Sequence, residues 1–463
     1  MIDSPGPAAA GVTLARRLGP FDGAAIVVSN VIGGGIFFVP IIVAGLVPSA
    51  WGILALWLVG GLLAFAGAMA YAELATIRPQ AGGEYVYLRD AFGQGAAFLT
   101  GWTSFVAGFS GAVAAGALAL ADYLGRFIPI AADRTAWLTI PLPFVPLSVT
   151  PQAVVAISVI VALSLAHRHR SGRLVHNILA GLKVSLLVVF IALGLALGAG
   201  SMGYLAETHA VASPATGWLV ALVPIMFTYS GWNAATYVAE EIRDPGRNVP
   251  LALGMGTLAV VMIYLALNFL FVYAMPVADL AALPGARLTD TVAERLFGFA
   301  AGNALAVLTI VSIGASISAM VWAGPRVYYA MARDGVFFRS AARVHPKART
   351  PTVAIAAQAV WASVLVLSGT LAQLVAYTGF AIVLFSGIAV VALFVLRRRE
   401  PDVERPFKAL GYPVVPAVFV GASALMLVYQ AWNDPGTSLA GLTVIALGLP
   451  LYWYFKWSFK AKA

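Results

Sequence analysis

The stretch VVSNVIGGGIFFVP, residues 27–40, places three consecutive glycines, Gly33, Gly34 and Gly35, in the middle of an apolar segment. Glycine disfavours a helix by about 1 kcal/mol relative to alanine, so three in a row favour local unwinding. Unwound backbone at membrane depth is tolerated only where protein buries it or where it lines a cavity. If the segment crosses a membrane, the stretch therefore predicts an interrupted helix at a functional site.

The composition of the whole chain indicates that this segment crosses a membrane. Of 463 residues, 61% are hydrophobic and only 10% are charged, and the mean hydropathy is +0.91. A soluble domain carries about 25% charged residues, so lipid must cover much of this surface. This excludes a soluble enzyme, a nucleic-acid-binding domain and a disordered chain. Cysteine is absent, which excludes disulfides and thiolate chemistry, and we expect neither a cofactor nor a metal.

The apolar runs are long and continuous, which favours helices over the alternating strands of a β-barrel. A spanning helix needs about 20 apolar residues. We therefore predict an all-α membrane protein with about 12 transmembrane helices. The predicted spans are Gly23–Ala44, Trp51–Ile77, Gly95–Phe127, Pro151–Ala166, Leu174–Ala199, Gly217–Ala239, Pro250–Met275, Phe299–Arg333, Pro351–Gly369, Leu371–Leu396, Tyr412–Trp432 and Ser438–Lys456.

The basic residues predict the orientation of these spans. With the N-terminus inside, nearly all of the 28 lysines and arginines lie in cytoplasmic segments or at cytoplasmic helix ends, as the positive-inside rule requires. This accounts for the net charge of +9 without nucleic acid. Residues 1–22 lack the apolar core of a signal peptide and are interpreted as a cytoplasmic tail. We expect a multi-pass protein of the plasma (cell inner) membrane with both termini cytoplasmic. The exceptions are Arg126, Arg134, Arg287 and Arg295, predicted to lie outside, and Lys183, inside a span.

The sixth span carries a matching flaw. In PIMFTYSGWNAATYVAEE, which runs from Pro224 to Glu241, Ser230 and Gly231 lie at mid-membrane. The two flaws are five spans apart and their helices run in opposite directions, as in two inverted five-helix repeats. We assign residues 23–199 (helices 1–5) to the first repeat and 217–396 (helices 6–10) to the second. Helices 11 and 12, residues 412–456, complete a single transporter domain.

Two interrupted helices facing each other predict a binding site. Freed amides at a half-helix N-terminus attract a carboxylate, and freed carbonyls attract an ammonium, so one site can hold a zwitterion. The alternative is that the glycines only permit close helix packing. The matched position of the two flaws favours the site. Its small residues, Gly33, Gly34, Gly35, Ser230 and Gly231, admit side chains of at least modest size.

Four stretches resemble the amino acid–polyamine–organocation superfamily: VIGGGIF (31–37), YAELATIRPQAGGEYVYL (71–88), RVYYAMARDG (326–335) and FTYSGWNAATYVAEEIRDPGRNVP (227–250). The last resembles the L-type amino acid transporter branch and its prokaryotic relatives. The resemblance implies a LeuT-type fold with helices 1 and 6 broken. It also implies sodium-independent transport of L-amino acids.

The resemblance also implies roles for individual residues. Gly33, Gly34 and Gly35 would offer amides to the substrate carboxylate, and Val31, Phe227 and Ser230 would offer carbonyls to its amine. Phe227 would act as a lid, Asn233 would line the pocket, and Trp232 is a second gate candidate, although packing is the more usual role of a tryptophan. Gly34 stands where animal members usually have serine, so one hydroxyl contact is missing.

Lys183 lies about 13 Å into the fifth span, too deep for its stem to reach the surface. It could titrate and couple transport to protons. Alternatively, it could stay charged and brace span 1 against span 8 in place of a sodium ion. In either case the resemblance suggests contacts with the backbone near Gly33 and with Ser312 and Ser316.

The other ionisable groups suggest structural roles. We expect Glu73 with Arg78, and Asp122 with Arg126, to form ion pairs at helix ends. Glu240 and Glu241, which flank Arg243 and Arg247, are expected to lock a cytoplasmic gate. His167 and His169 have little support as metal ligands.

The sequence as a whole predicts a secondary transporter of neutral L-amino acids that works by alternating access. No Asp, Glu or Arg falls in the middle of a span, so a charged substrate side chain would have no buried partner. We predict an exchanger, with a proton-coupled symporter as the alternative and a channel disfavoured. Motifs of enzymes and of ATP motors are absent. We expect a monomer without a disulfide-linked heavy subunit.

Overall fold

The computed structural model describes residues 13–141, 146–169, 171–211, 216–283, 288–298, 301–368 and 371–460. The first 12 residues of the predicted tail, together with Arg170 and Arg287, lie outside them. The expected all-α class is confirmed, because helices α1 to α19 account for nearly all of the regular structure in these ranges. The first repeat predicted from sequence contains α1 Pro20–Val31, α2 Val39–Leu46, α3 Ala50–Ile77, α4 Glu84–Phe92, α5 Gln94–Thr103, α6 Phe109–Leu124, α7 Pro151–Arg168 and α8 Gly172–Leu197.

The remaining helices follow in chain order. They are α9 Gly217–Tyr229, α10 Ala234–Tyr237, α11 Pro245–Ala274, α12 Val277–Ala281, α13 Leu288–Phe297, α14 Gly302–Arg333, α15 Thr352–Ser368, α16 Leu371–Arg399, α17 Val414–Asn433, α18 Pro435–Ala446 and α19 Gly448–Lys460.

Nine helical segments within the described ranges are long and apolar enough to cross a membrane, so the chain is a multi-pass membrane protein. Three predicted spans fall outside this set for a simple physical reason. The described part of helix α15 is shorter, at 17 residues, and the first and sixth predicted spans are each divided in two. Large apolar side chains such as Leu62, Met262 and Val428 are exposed on spanning helices, as lipid contact requires.

The first interruption separates α1 from α2. Helix α1 ends at Val31, a short 3₁₀ turn occupies Gly35–Phe37, and α2 begins at Val39 with Pro40 in its first turn. Proline is favourable there because its missing N–H would have no intrahelical partner anyway. The three glycines therefore fall in the non-α-helical segment, where the sequence places the flaw.

The second interruption separates α9 from α10. Helix α9 ends at Tyr229, and the next regular turn begins at Ala234. Between them Gly231 has a φ of 101°, a conformation that residues with a Cβ rarely adopt. Here a single glycine with positive φ interrupts the helical backbone.

Some elements were not predicted. A five-residue π-helical turn, Ser104–Gly108, joins α5 to α6 within the third span. Between α6 and α7, strands β1 (Leu138–Ile140) and β2 (Leu147–Val149) form an antiparallel hairpin. Helix α4 follows the second span, in a segment interpreted from sequence as a loop.

The helices pack in two groups. Helices α6, α7, α14 and α15 enclose a separate apolar core that includes Val113, Ile160 and Ile317. Helix α1 packs against α11, and α3 packs against both α9 and α11. The two interrupted helices therefore belong to one group, and α6 and α14 of the other group face them.

Candidate functional site

A half-open cavity of about 480 Å³ lies between the two interruptions and the helices α6 and α14. Apolar groups form most of its lining, as is usual for small-molecule sites. The π-helical turn contributes Ser104 and Gly108 to the wall, and such turns are frequent at functional sites. All eight residues predicted to bind substrate line this one cavity: Val31, Gly33, Gly34, Gly35, Phe227, Ser230, Gly231 and Asn233.

The glycines of the first interruption have different surroundings. A Cβ added to Gly34 would meet no atom within 4 Å, so this position faces open space. A Cβ on Gly35 would lie 3.1 Å from Oγ1 of Thr228, so here the two interrupted helices touch. The amide of Gly33 donates to the carbonyl of Val31 over 2.8 Å. That carbonyl also accepts from the Tyr264 hydroxyl, at 2.9 Å, so in this conformation Val31 already has two donors.

Lys183 holds the end of helix α1. The side chain is fully buried, and Nζ donates to the carbonyl of Ser29 at 3.1 Å and to the carbonyl of Ile32. These are carbonyls that the interruption frees from helix bonding. Among the described residues, Nζ forms no hydrogen bond to Ser312 or Ser316, the expected contacts, in this conformation. Ser312 Oγ is buried without a partner among the described residues, and Ser316 Oγ lies 3.4 Å from the Cβ position of Gly33.

The second interruption is held by close packing rather than by a cation. A Cβ on Gly231 would lie 2.4 Å from Nδ2 of Asn30, so no larger residue fits. The hydroxyl of Tyr264 lies 3.1 Å from the carbonyl of Thr228 as well as close to that of Val31, and thereby joins the two interruptions. Sequence analysis missed Tyr264 because a tyrosine in an apolar span carries no distinctive signal.

At one end of the cavity, Glu84 is buried at the start of α4. Its Oε1 accepts from the Tyr71 hydroxyl and from Asn233 Nδ2, both at 2.7 Å, and lies 3.4 Å from Ser386 Oγ. The absence of carboxylates from the spans therefore did not mean their absence from the site. A sequence cue for Glu84 is the stretch GGEYVYL, residues 82–88, in which the acidic residue follows two glycines. Both glycines have positive φ in the structure.

The same end is closed beyond Glu84 by ion pairs, and we call it the Glu241 end. Glu241 pairs with Arg326 at 2.8 Å, with both side chains at most 1% exposed, and Glu240 pairs with Arg333 at 3.0 Å. Both carboxylates of the predicted gate thus lie at this end. Arg243 and Arg247 neighbour them in sequence, but α14 supplies the cations that pair with them.

At the opposite end the cavity is lined by partly exposed residues. Tyr123 at the end of α6 is half-buried, and Phe38 after the first interruption is 39% exposed. We call this the Tyr123 end. The contrast in burial indicates that the cavity communicates with the surroundings at this end and is sealed at the Glu241 end.

The two gate candidates differ. Phe227 lines the main cavity and is partly buried, in a position to cover a ligand. Trp232 does not line that cavity. Its ring packs edge-on against Tyr71 and Phe419, with centroids 4.8 and 5.6 Å away, so packing accounts for it. Trp232 also lines a small second cavity of about 30 Å³ behind the second interruption.

The expected helix-end ion pairs form with different partners. Glu73 is buried and pairs with Arg397 at 2.6 Å, while Arg78 pairs with Asp90 and Glu400. Asp122 pairs with Arg134 at 3.0 Å, because the chain between α6 and the β1–β2 hairpin brings that arginine back to the end of α6.

Within the described residues, no cluster of three or more metal-ligating side chains is present. His167 is buried instead, and its Nε2 lies 2.8 Å from Ser318 Oγ.

Comparison with known proteins identifies the chain. The sequence profile of a family described as amino acid permease matches residues 18–453. The large neutral amino acids transporter small subunit 2 of Mus musculus is 28% identical over 468 residues, covering 98% of this chain and 83% of that protein. The serine/threonine exchanger SteT of Bacillus subtilis (strain 168) is 28% identical over 447 residues, covering 96% and 97%.

A multi-pass helical protein with a cavity between two interrupted helices has the architecture of a secondary transporter. The profile covers nearly all of the chain, which therefore belongs to the amino acid permease family. The expected membership of the amino acid–polyamine–organocation superfamily is confirmed, and so is the resemblance to the L-type branch. The protein is an amino acid transporter and not an enzyme.

Proposed function

We propose that this protein is a sodium-independent exchanger of neutral L-amino acids that works by alternating access. The observation that carries the proposal is the junction of two interrupted helices around one cavity that contains all eight predicted binding residues. Two relatives support the substrate class, since one is named a large neutral amino acids transporter and another a serine/threonine exchanger.

The two interruptions suit a zwitterion. The amides of Gly33, Gly34 and Gly35 receive the substrate carboxylate, where backbone N–H groups of a helix start favour an anion. The carbonyls of Phe227 and Ser230 receive the amine. The carbonyl of Val31 joins them when Tyr264 turns away, and Phe227 covers the bound molecule.

The fold proposed around this site is the LeuT-type pair of inverted five-helix repeats, with 12 spans and both termini cytoplasmic. Residues 23–199 form one repeat, 217–396 the other, and 412–456 the two additional spans. In this orientation the Tyr123 end faces outside and the Glu241 end faces the cytoplasm, so the structure corresponds to an outward-facing conformation. The separate apolar core of α6, α7, α14 and α15 supports its role as a scaffold against which the other group moves.

Lys183 takes the place of a sodium ion in this proposal. A fixed ammonium on the carbonyls of Ser29 and Ile32 holds the first interruption open to substrate without a dissociable cation. The alternative is that Lys183 loses a proton during the cycle and drives symport. Two carbonyl acceptors favour the charged form, which supports exchange.

We propose a neutral substrate because the cavity-lining residues of the described chain include a single charged group, Glu84, whose Oε1 is already held by three donors. The absence of cysteine supports a monomer that works without a disulfide-linked heavy subunit. A cell inner membrane location rests on the bacterial relative.

The test uses purified protein in liposomes loaded with unlabelled neutral amino acids or left empty. Uptake of radiolabelled alanine and leucine is measured in sodium-free buffer at two external pH values. We expect uptake that requires internal amino acid at both pH values.

Uptake into empty liposomes that grows with an inward proton gradient would replace exchange by symport. A requirement for sodium would contradict the role of Lys183. A current far larger than a transporter's turnover allows would indicate a channel.

A further inference from the structure

Glu84 is a buried carboxylate without a cationic partner among the described residues, and neither the zwitterion site nor Lys183 uses it. The side chain is 6% exposed and lines the cavity at its sealed end. Burying a lone carboxylate is costly, so the hydrogen bonds that surround it must offset the lost hydration. A residue of this kind in a transport cavity is a candidate proton site.

The three groups around Glu84 come from three different helical segments. Tyr71 belongs to α3, Asn233 to the second interruption and Ser386 to α16. Glu84 itself begins α4. The carboxylate therefore ties four parts of the protein together at the end of the cavity that must open when substrate leaves toward the Glu241 end.

We propose that Glu84 is a reversible proton-binding residue whose charge sets how readily the Glu241 end of the cavity opens. This inference rests on the proposed transport function and goes beyond it. Hydrogen bonds to an ionised acceptor are about twice as strong as neutral ones. The ionised carboxylate stabilises the sealed conformation, and the protonated form weakens the bonds to Tyr71, Asn233 and Ser386.

The charges around Glu84 leave it free to titrate near neutral pH. Glu84 lies between the second and third spanning helices, and burial raises the pKa of its carboxyl to about 7, whereas hydrogen bonds from Tyr71, Ser386 and Asn233 act in the opposite direction. The titratable groups that face it are tyrosines: Tyr71 on α3, Tyr87 on α4 and Tyr237 on α10.

The formal charges on neighbouring elements are paired elsewhere. Arg89 of α4 binds Asp334 after α14 at 2.9 Å, and Arg326 of α14 binds Glu241. Arg333 of α14 binds Glu240 at 3.0 Å, and Arg397 of α16 binds Glu73 at 2.6 Å. No described cation is thus hydrogen-bonded to Glu84, and the carboxyl is protonated below about pH 7 and ionised above it.

The test measures exchange of a neutral amino acid in liposomes with equal pH on both faces, from pH 5.5 to 8.5. Equal pH removes any proton driving force, so the profile reports a titrating group. We expect the wild-type rate to rise about threefold or more as the pH falls through 7. Glu84→Gln, which mimics the protonated form, is expected to keep the high rate at every pH.

Three further variants test the assignment. Glu84→Asp restores a titratable group and is expected to restore the pH dependence. Tyr71→Phe removes a donor that favours the ionised form, and it is expected to move the midpoint upward by about half a pH unit. Glu207→Gln alters an exposed carboxylate and is expected to keep the wild-type profile.

A Glu84→Gln protein that keeps the wild-type pH profile would overturn the proposal, as would a wild-type rate that is constant across the range. If Glu84→Gln fails to fold, an unchanged midpoint in Tyr71→Phe overturns it instead. Wild-type exchange at any pH leaves the proposed transport function intact. Wild-type protein that transports no amino acid at any pH contradicts that function, and the role of Glu84 with it.

Discussion

The two interrupted helices reach similar geometry by different means. In the first, none of the three consecutive glycines has a positive φ, and the freed carbonyls are held by Lys183 from a neighbouring helix. In the second, one glycine at φ 101° packs against Asn30, and no cation among the described residues is hydrogen-bonded there. The first interruption depends on a charged side chain and on empty space, the second on backbone conformation and close packing.

The number of consecutive glycines is therefore a poor measure of how strictly a position requires glycine. The triplet is the more conspicuous signal in the sequence, yet Gly34 has room for a side chain. The isolated Gly231 has none. Four substitutions, ordered by the size of the expected effect, test the distinction.

The largest effect is expected for Lys183→Ala. The substitution leaves the carbonyls of Ser29 and Ile32 buried without their donor, at about 1.5–3 kcal/mol for each charge-assisted bond. We expect transport to fall about 100-fold or more, while the protein still folds and elutes as the wild type does in size-exclusion chromatography. Lys408→Ala, which removes an exposed cation, serves as the control. Wild-type uptake by well-folded Lys183→Ala would show that the first interruption needs no cation.

Gly231→Ala is expected to reduce transport about tenfold and to lower the melting temperature. A Cβ there would clash with Asn30, and a residue other than glycine at positive φ costs about 1–2 kcal/mol. Gly34→Ala is the matched control, since its Cβ enters open space. Thermal unfolding of both purified variants checks the comparison, and equal melting temperatures would refute it.

A smaller effect is expected for Tyr264→Phe, which removes the hydroxyl that joins the two interruptions. Each lost neutral hydrogen bond contributes about 0.5–1.5 kcal/mol, and Val31 keeps its bond from Gly33. We expect about a threefold loss of exchange rate, measured with radiolabelled substrate. An unchanged rate would mean that the two interruptions act independently, and Tyr273→Phe on the same helix controls for hydroxyl removal alone.

The smallest effect is expected for Gly34→Ser. The added side chain enters the cavity without contact, so the melting temperature stays near that of the wild type. Its hydroxyl provides a further donor near the substrate carboxylate, and we expect the apparent affinity to change about twofold to fivefold. Competition uptake with a panel of neutral amino acids measures it. A large loss of stability would show that Gly34, like Gly231, has no room for a side chain.

The elements that could be predicted are those whose signal is local. Apolar length predicted the long helices, and glycine at mid-span predicted both interruptions. The family resemblance added Val31, Phe227 and Asn233 to the candidate binding residues, and these line the cavity as well. Lys183 could be identified as a functional candidate because a lysine near the middle of a membrane span is costly and rarely lacks a function.

What sequence missed depends on tertiary contact. Glu73 and Asp122 were assigned to neighbours in the chain, whereas their partners come from α16 and from the segment that precedes the hairpin. The cation that pairs with Glu241 comes from α14, far away in the sequence. Glu84 was overlooked because it lies outside every span, and only the packing of α4 brings it to the cavity. Trp232 resembled a gate by position, but its ring is enclosed by Tyr71 and Phe419.

Backbone hydrogen bonds join the chain ahead of α1 to the segment after α10. The amides of Arg17 and Leu18 donate to the carbonyl of Glu241, at 2.9 and 3.0 Å, and the amide of Arg243 donates to the carbonyl of Leu18 at 2.9 Å. A link of this kind is indifferent to side-chain identity, pH and salt. We expect this link to transmit a displacement of one interrupted helix to the other. A ligand that binds only one of them is therefore expected to shift both.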